Sequence, residues 1–319
     1  MNNLNDLCIL VTGGCGFIGS NIVEVLLKSG VKKVRVLDNL STGYLKNIKF
    51  LLDKYDNLEY MYGSITDLET CRKVVKGIDV VSHQAAIGSV PRSVADPLTS
   101  HNNNVNGFFN ILLACKEEGI KRLVYASSSS VYGDEGTLPK REDRTGNVLS
   151  PYAATKSIDE IYANVFTRTY NMECIGMRYF NVFGPRQDPK GAYAAVIPKF
   201  IDLMKNGKQP TINGDGSYSR DFTFIDNVVQ ANILALTTEN KYCFGQAFNI
   251  GAGGRFSILH LFNVLKESIN FEKDVIFGNN RAGDIPHSNA DISKARELLG
   301  YNPKVSFERG IKLTLDYFK

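Results

Sequence analysis

Apolar residues in the first 180 positions follow two patterns that take turns along the chain. Short apolar runs stand at Leu7–Val11, Val34–Leu37, Leu58–Tyr62, Val80–Val81, Leu123–Tyr125 and Ile175–Met177. Runs of this length with little polar alternation predict strands covered on both faces. Between them, Phe17–Ser29 sets Ile18, Ile22, Val25 and Leu26 on one side of a helix. Helical spacing recurs at 67–76, 103–118 and 151–169. Strand and helix in alternation predict an α/β fold with a doubly wound parallel sheet.

The pattern changes after Asn181. Glycine and proline crowd the chain at Gly184-Pro185, Pro189, Gly191, Pro198, Pro210, Gly214 and Gly216, and short segments replace the alternation. The expected organisation is a Rossmann-type domain over residues 1–181 and a smaller, discontinuous lobe mainly over 182–319. Asp221–Ile225 and Phe248–Ile250 are strand-like, so the chain is expected to return to the sheet near 221–250.

The turn after the first strand reads Thr12-Gly13-Gly14-Cys15-Gly16-Phe17-Ile18-Gly19 and leads straight into the first helix. Gly13, Gly16 and Gly19 allow a tight turn and close backbone approach to a pyrophosphate, which then faces a helix N-terminus. Asp38 ends the second strand, at the distance where an acidic side chain meets the adenosine ribose hydroxyls. It would repel a 2′-phosphate, so the expected cofactor is NAD. Asp67 follows the third strand; it can meet the adenine amino group or cap the next helix. His83 reads as a packed, hydrogen-bonded histidine, and the small residues Ala85, Ala86 and Gly88 leave room for a flat ring.

Ser150-Pro151-Tyr152-Ala-Ala-Thr-Lys156 opens the helix at 151–169. Serine suits an N-cap and proline the first helical position. Tyr152 and Lys156, four apart, share one helix face. An ammonium beside a phenol favours the phenolate. Bringing a phenol from about 10 to about 7 takes roughly 4 kcal/mol, within reach of a lysine and an oxidised nicotinamide together. The pair reads as a device for taking a proton from a hydroxyl next to a dinucleotide.

Composition narrows the setting. The chain has 319 residues, 43% hydrophobic and 22% charged, with a net charge of +4. No basic block points to nucleic acid, and no apolar run approaches the length of a membrane span. The start of the chain lacks a signal-peptide pattern, and Cys8, Cys15, Cys71, Cys115, Cys174 and Cys243 are scattered, as in a cytoplasmic protein with reduced thiols. The four histidines lack metal-ligand spacing, so no metal is expected.

These motifs, with Ser127–Gly133, Arg178–Pro185 and Arg220-Asp221-Phe222, resemble the extended short-chain dehydrogenase/reductases of the nucleotide-sugar epimerase/dehydratase branch. Gly88–Ser93 and Arg186–Pro189 make the chain most similar to UDP-N-acetylglucosamine 4-epimerases. The resemblance covers essentially the whole length. It implies Tyr152 as base, Lys156 as its activator and nicotinamide-ribose ligand, and Ser128 as the hydroxyl between substrate and tyrosine. It extends the cofactor set to Phe17, Ile18, Asn39, Ser41, Thr42, Gly43, Gln84, Asn103 and Tyr179. It places Arg220 and Arg281 on the UDP diphosphate beside Asn181, with Asp284 orienting Arg281 or a ribose hydroxyl. Lys199, Thr211 and Asn213 would lie near uridine, and Gly88, Ser89, Ser129, Ala195 and Val196 along the sugar.

Dehydratases of this branch carry an Asp-Glu pair after the catalytic hydroxyl, and UDP-glucuronate decarboxylases keep the glutamate. Here the positions are Ser129 and Ser130, which leaves epimerisation. The pocket-wall position that separates plain from N-acetylated hexoses falls on Ser288, small enough for an acetamido group. The implied activity is C4 epimerisation of a UDP-N-acetylhexosamine in a homodimer that packs the helices at 103–118 and 151–169. The alternatives are the same reaction on UDP-glucose or UDP-glucuronate, and a non-catalytic nucleotide-sensing protein.

Overall fold

The computed structural model describes residues 4–190, 194–279 and 285–319. Arg281 and Asp284 lie outside them. Six parallel strands come first: β1 (Cys8–Thr12), β2 (Lys33–Asp38), β3 (Leu58–Tyr62), β4 (Val80–His83), β5 (Arg122–Ser128) and β6 (Glu173–Tyr179). Then follow β7 (Val182–Phe183), β8 (Thr211–Asn213), β9 (Ser219–Arg220), β10 (Thr223–Phe224), β11 (Gln246–Ile250), β12 (Phe256–Ser257) and β13 (Ile276–Gly278). The main sheet has seven strands in the order β11-β6-β5-β4-β1-β2-β3, all parallel.

The helices are α1 (Phe17–Lys28), α2 (Lys46–Leu52), α3 (Leu68–Val74), α4 (Val90–Ala95), α5 (Pro97–His101), α6 (Gly107–Glu118), α7 (Pro151–Tyr170), α8 (Val196–Lys205), α9 (Ile225–Thr237), α10 (Ile258–Ile269), α11 (Ser293–Leu299) and α12 (Phe307–Tyr317). Alternate strand residues face opposite ways, so the sheet has two cores. Leu10, Leu37, Val81, Leu123 and Tyr125 pack with α3, α6 and α7. Val11, Val34, Val36, Val124, Ile175 and Met177 pack on the other side with α1 and α9. Strand order reverses between β1 and β4, and a crevice opens at such a point beyond the C-terminal strand ends.

Phe248–Ile250 does return to the sheet, as part of edge strand β11. Asp221–Ile225 does not. Only Thr223–Phe224 is extended, paired with β7 in a separate two-stranded ribbon, and Ile225 already begins α9. The reason is Asp221, whose buried carboxylate accepts from the backbone N–H groups of Ala252, Gly253 and Ala290 and holds the segment among loops. The expected helix at 103–118 is also different: a π-helical turn, Asn102–Asn106, leads into α6. Asn104 is buried in that turn and exchanges two hydrogen bonds with the Ile87 backbone.

Candidate functional site

The glycine turn is built by backbone geometry. Gly13 has φ +67°, and a Cβ there would sit 2.7 Å from the Ala85 nitrogen. A Cβ on Gly19 would collide with the Gly13 carbonyl oxygen. Both positions therefore require glycine. The Gly16 N–H donates to Gly13 O at 3.0 Å and α1 starts at once, its N-terminus toward the crevice. His83 reaches the Thr12 hydroxyl through Nδ1 at 2.9 Å, and that same hydroxyl accepts from the Ala85 N–H at 3.3 Å. Burial, helped by the Lys156 charge, pulls His83 down to about 3 and keeps it neutral.

A cleft of about 320 Å³ lies over this turn. Of the residues expected to hold the cofactor, Gly13, Gly16, Phe17, Ile18, Gly19, Asp38, Asn39, Ser41, Thr42, Gln84, Ala85, Ala86 and Asn103 line it. Gly63, Ile65 and Gly88 line it too. Asp38 accepts from the Cys15 and Leu40 N–H groups at 2.9 and 2.7 Å. Burial raises its carboxyl while those two donors oppose the rise. Each carboxylate oxygen keeps a lone pair for a hydroxyl. Cys15, inside the turn, is pushed up to about 12 by burial and by Asp38, so it is an inert thiol.

Besides Tyr152 and Lys156 on α7, three expected cofactor residues stand elsewhere. Asp67 does not line the cleft; its carboxylate caps α3, accepting from the Glu69 and Thr70 N–H groups, each at 3.2 Å. Tyr179 is turned inward: its hydroxyl donates to Gln84 Oε1 at 3.0 Å and accepts from Asn232 Nδ2 at 2.8 Å. It braces Gln84 from behind. Gly43 packs under the glycine turn, where a Cβ would meet the Cys15 carbonyl carbon at 2.8 Å.

A second cavity, of about 380 Å³, opens in the smaller lobe. It is lined by Asn181, by Ala195, Val196 and Lys199 at the start of α8, by Thr211 and Asn213 of β8, and by Arg220 of β9. Tyr218 and Ile258 also line it. Sequence reasoning missed them, as an isolated tyrosine and isoleucine carry no motif. Arg220 donates to the Ser219 and Pro286 carbonyls at 2.9 and 3.1 Å, which fixes its guanidinium. Ser288 donates its N–H to Ser219 O at 3.0 Å, so it lies beside the Arg220 strand. Ser89 caps α4 at φ +96°, its hydroxyl accepting from the Arg92 N–H at 3.4 Å.

By strand order Ser128 stands between these spaces. β5, ending at Ser128, lies between β4, which feeds the first cleft, and β6, which leads to Asn181 in the second. Ser128 accepts from the Ser130 N–H at 3.1 Å and starts a short 3₁₀ turn, with Ser129 next in it. Ser127 is committed elsewhere: it donates to Glu160 at 2.5 Å.

α7 begins as its caps dictate. The Ser150 hydroxyl accepts from the Ala153 N–H at 3.1 Å and Pro151 fills the first position. Tyr152 donates its backbone N–H to the buried Ser93 hydroxyl at 3.0 Å. Asn104 donates to Thr155 Oγ1 at 3.0 Å and ties the same turn to the loop after β4. Tyr152 is half-buried and Lys156 fully buried, one turn further on. Ser128, Tyr152 and Lys156 line neither cavity.

Residues 9–251 match the NAD-dependent epimerase/dehydratase family. The UDP-N-acetylglucosamine 4-epimerase of Methanobrevibacter ruminantium, solved with UDP-N-acetylmuramic acid, is 38% identical with a TM-score of 0.92, over 98% of each chain. The UDP-glucose 4-epimerase of Thermotoga maritima, solved with UDP-glucose, is 37% identical with a TM-score of 0.91, again over 98% of each. The UDP-glucuronic acid 4-epimerase of Bacillus cereus, solved with UDP-glucuronic acid and NAD, is 33% identical with a TM-score of 0.88 over 98% of each. By the match over residues 9–251 and these relatives, this chain, with its glycine turn and Asp38 lining one cleft, belongs to the NAD-dependent epimerase/dehydratase family.

Proposed function

We propose that the protein interconverts UDP-N-acetylglucosamine and UDP-N-acetylgalactosamine by epimerisation at C4. The observation that carries the reaction type is the serine turn Ser128-Ser129-Ser130 beside the start of α7, with no carboxylate where elimination or decarboxylation would use one. The cleft residues fit NAD: Gly13 and Gly19 let the turn close tightly at the start of α1, where the pyrophosphate would sit, and Asp38 would meet the ribose.

When bound, NAD accepts the C4 hydride and gives it back to either face of the sugar. The protein's own groups do the rest. Tyr152 takes the O4 proton and later returns it. Ser128 holds the O4 hydroxyl against the tyrosine. Lys156 binds the nicotinamide ribose and favours the phenolate. Arg220 grips the diphosphate, a task suited to a guanidinium fork, with Arg281 expected to join it. The 4-keto sugar turns about its link to the held diphosphate and presents its other face.

The N-acetylated substrate rests on Ser288. Ser288 lines neither cavity, but a serine beside the Arg220 strand leaves space for an acetamido group, while a smaller sugar is still admitted. Relatives named for UDP-glucose and UDP-glucuronic acid make those two sugars the controls. The reading also takes the working protein to be a cytoplasmic homodimer serving polysaccharide synthesis. Ile161 and Val165 on α7 stand exposed in the single chain, as a partner surface would. No described helix is long and apolar enough to cross a membrane.

Tyr152→Phe tests the mechanism. It should lower turnover of the UDP-sugar by at least about 10²-fold, the usual weight of a general base. Its fold and bound NAD should be unchanged. Turnover near that of the unmodified protein would refute the assignment.

A further inference from the structure

The lysine proposed to hold the nicotinamide ribose has a partner that the Tyr-Lys motif does not contain. Lys156 is 2% exposed and Asp159 is 0% exposed. Lys156 Nζ donates to Asp159 Oδ2 at 3.1 Å, from one turn to the next on the same face of α7. The other oxygen, Asp159 Oδ1, is enclosed and has no hydrogen-bond partner. Burying a carboxylate with one oxygen unused is costly, so the residue needs a reason to be there.

Anchoring α7 to the sheet is not that reason, because Glu160 does it. Glu160 accepts from Arg178 at 2.9 and 2.8 Å and from Ser127 at 2.5 Å, tying the helix to β6 and β5. Apart from Tyr152, whose phenolate the lysine is proposed to favour, the titratable groups around the pair supply no counter-charge to the lysine. His83, from β4, is neutral because burial lowers it. Tyr125, from β5, stays protonated because burial raises it. Glu160, on the helix itself, is matched with Arg178. Among the described residues, Asp159 is the hydrogen-bonded partner of the Lys156 ammonium.

We propose that Asp159 is a positioning residue for Lys156: its carboxylate keeps the buried lysine charged and holds one of its three N–H groups, leaving two for the cofactor ribose. This rests on the role proposed for Lys156 in epimerisation. An ammonium removed from water without a counter-charge sheds its proton readily. Asp159 prevents that without touching substrate or cofactor. Burial pushes its carboxyl up, and the Lys156 ammonium and its hydrogen bond pull it back toward the charged form.

The test is NMR of the NAD-loaded protein carrying ¹³Cε-lysine, with the Lys156 signal assigned by Lys156→Arg. In Asp159→Asn that signal should move to the neutral-amine position at least about one pH unit lower than in the unmodified protein. The alkaline limb of kcat/KM should move down by the same amount. Identical titrations in the two proteins would overturn the proposal. Should Asp159→Asn not fold, Asp159→Ser is read in the same way. Failure of the epimerase reading looks different: it appears as normal turnover in Tyr152→Phe, whatever the lysine signal does.

Discussion

His83 illustrates how much one buried residue can set. The sequence suggested a packed, hydrogen-bonded histidine, and that is its place, between Thr12 and the core. Its pKa is lowered from the ordinary 6.5 to about 3, first by burial and then by Lys156. Between those values the unfolded chain binds a proton that the folded protein refuses. Stability therefore rises with pH across this window and is lost as pH falls from about 6.5 toward about 3. His83→Gln should flatten that dependence in denaturant titrations; the same slope with and without the histidine would contradict the account. Ser150, Pro151, Tyr152 and Lys156 were readable in advance because caps and helical spacing are local. Asp159 was not, since the spacing makes it a neighbour of Lys156 but cannot reveal that the site is dry.

At the scale of elements, the local signals that survived are those set by backbone demands. The glycine turn and the cap of α7 needed only a few residues of context. The errors came from tertiary competition. Asp221 reads as the start of a strand, yet three backbone N–H groups from distant loops claim its carboxylate. Asp67 is no such error: it makes the local cap, one of the two compatible roles read for it. Tyr179 lies in a family motif, but its hydroxyl turns to Gln84 and Asn232 instead of the cleft. α7 carries a prediction of its own. Ile161 is 63% exposed and Val165 46%, and Leu98 on α5 is 68% exposed. Covering such side chains in a dimer would remove apolar area from water. Light scattering should give twice the chain mass, and Ile161→Asp with Val165→Asp should give the single mass. A monomer without substitution would exclude the dimer.

At the scale of the whole molecule, strand order does the assembling. β4, β5 and β6 lie side by side, so the first cleft, Ser128 and the second cavity line up at one edge of the sheet. Residues more than a hundred positions apart meet there, which is why the substrate lobe was the harder part to read. Its cavity walls come from five short stretches with no shared period. The choice of sugar rests on Ser288, which lies beside the Arg220 strand and outside those walls, and Ser288→Tyr should suppress activity on the N-acetylated sugar while sparing UDP-glucose. The most direct measurement is incubation of the purified protein with UDP-N-acetylglucosamine, followed by chromatographic separation of the products. The account predicts UDP-N-acetylgalactosamine, without added NAD, and Tyr152→Phe should form none. Turnover of UDP-glucose or UDP-glucuronate alone would contradict the choice of sugar, and no product from any of the three would contradict the epimerase itself.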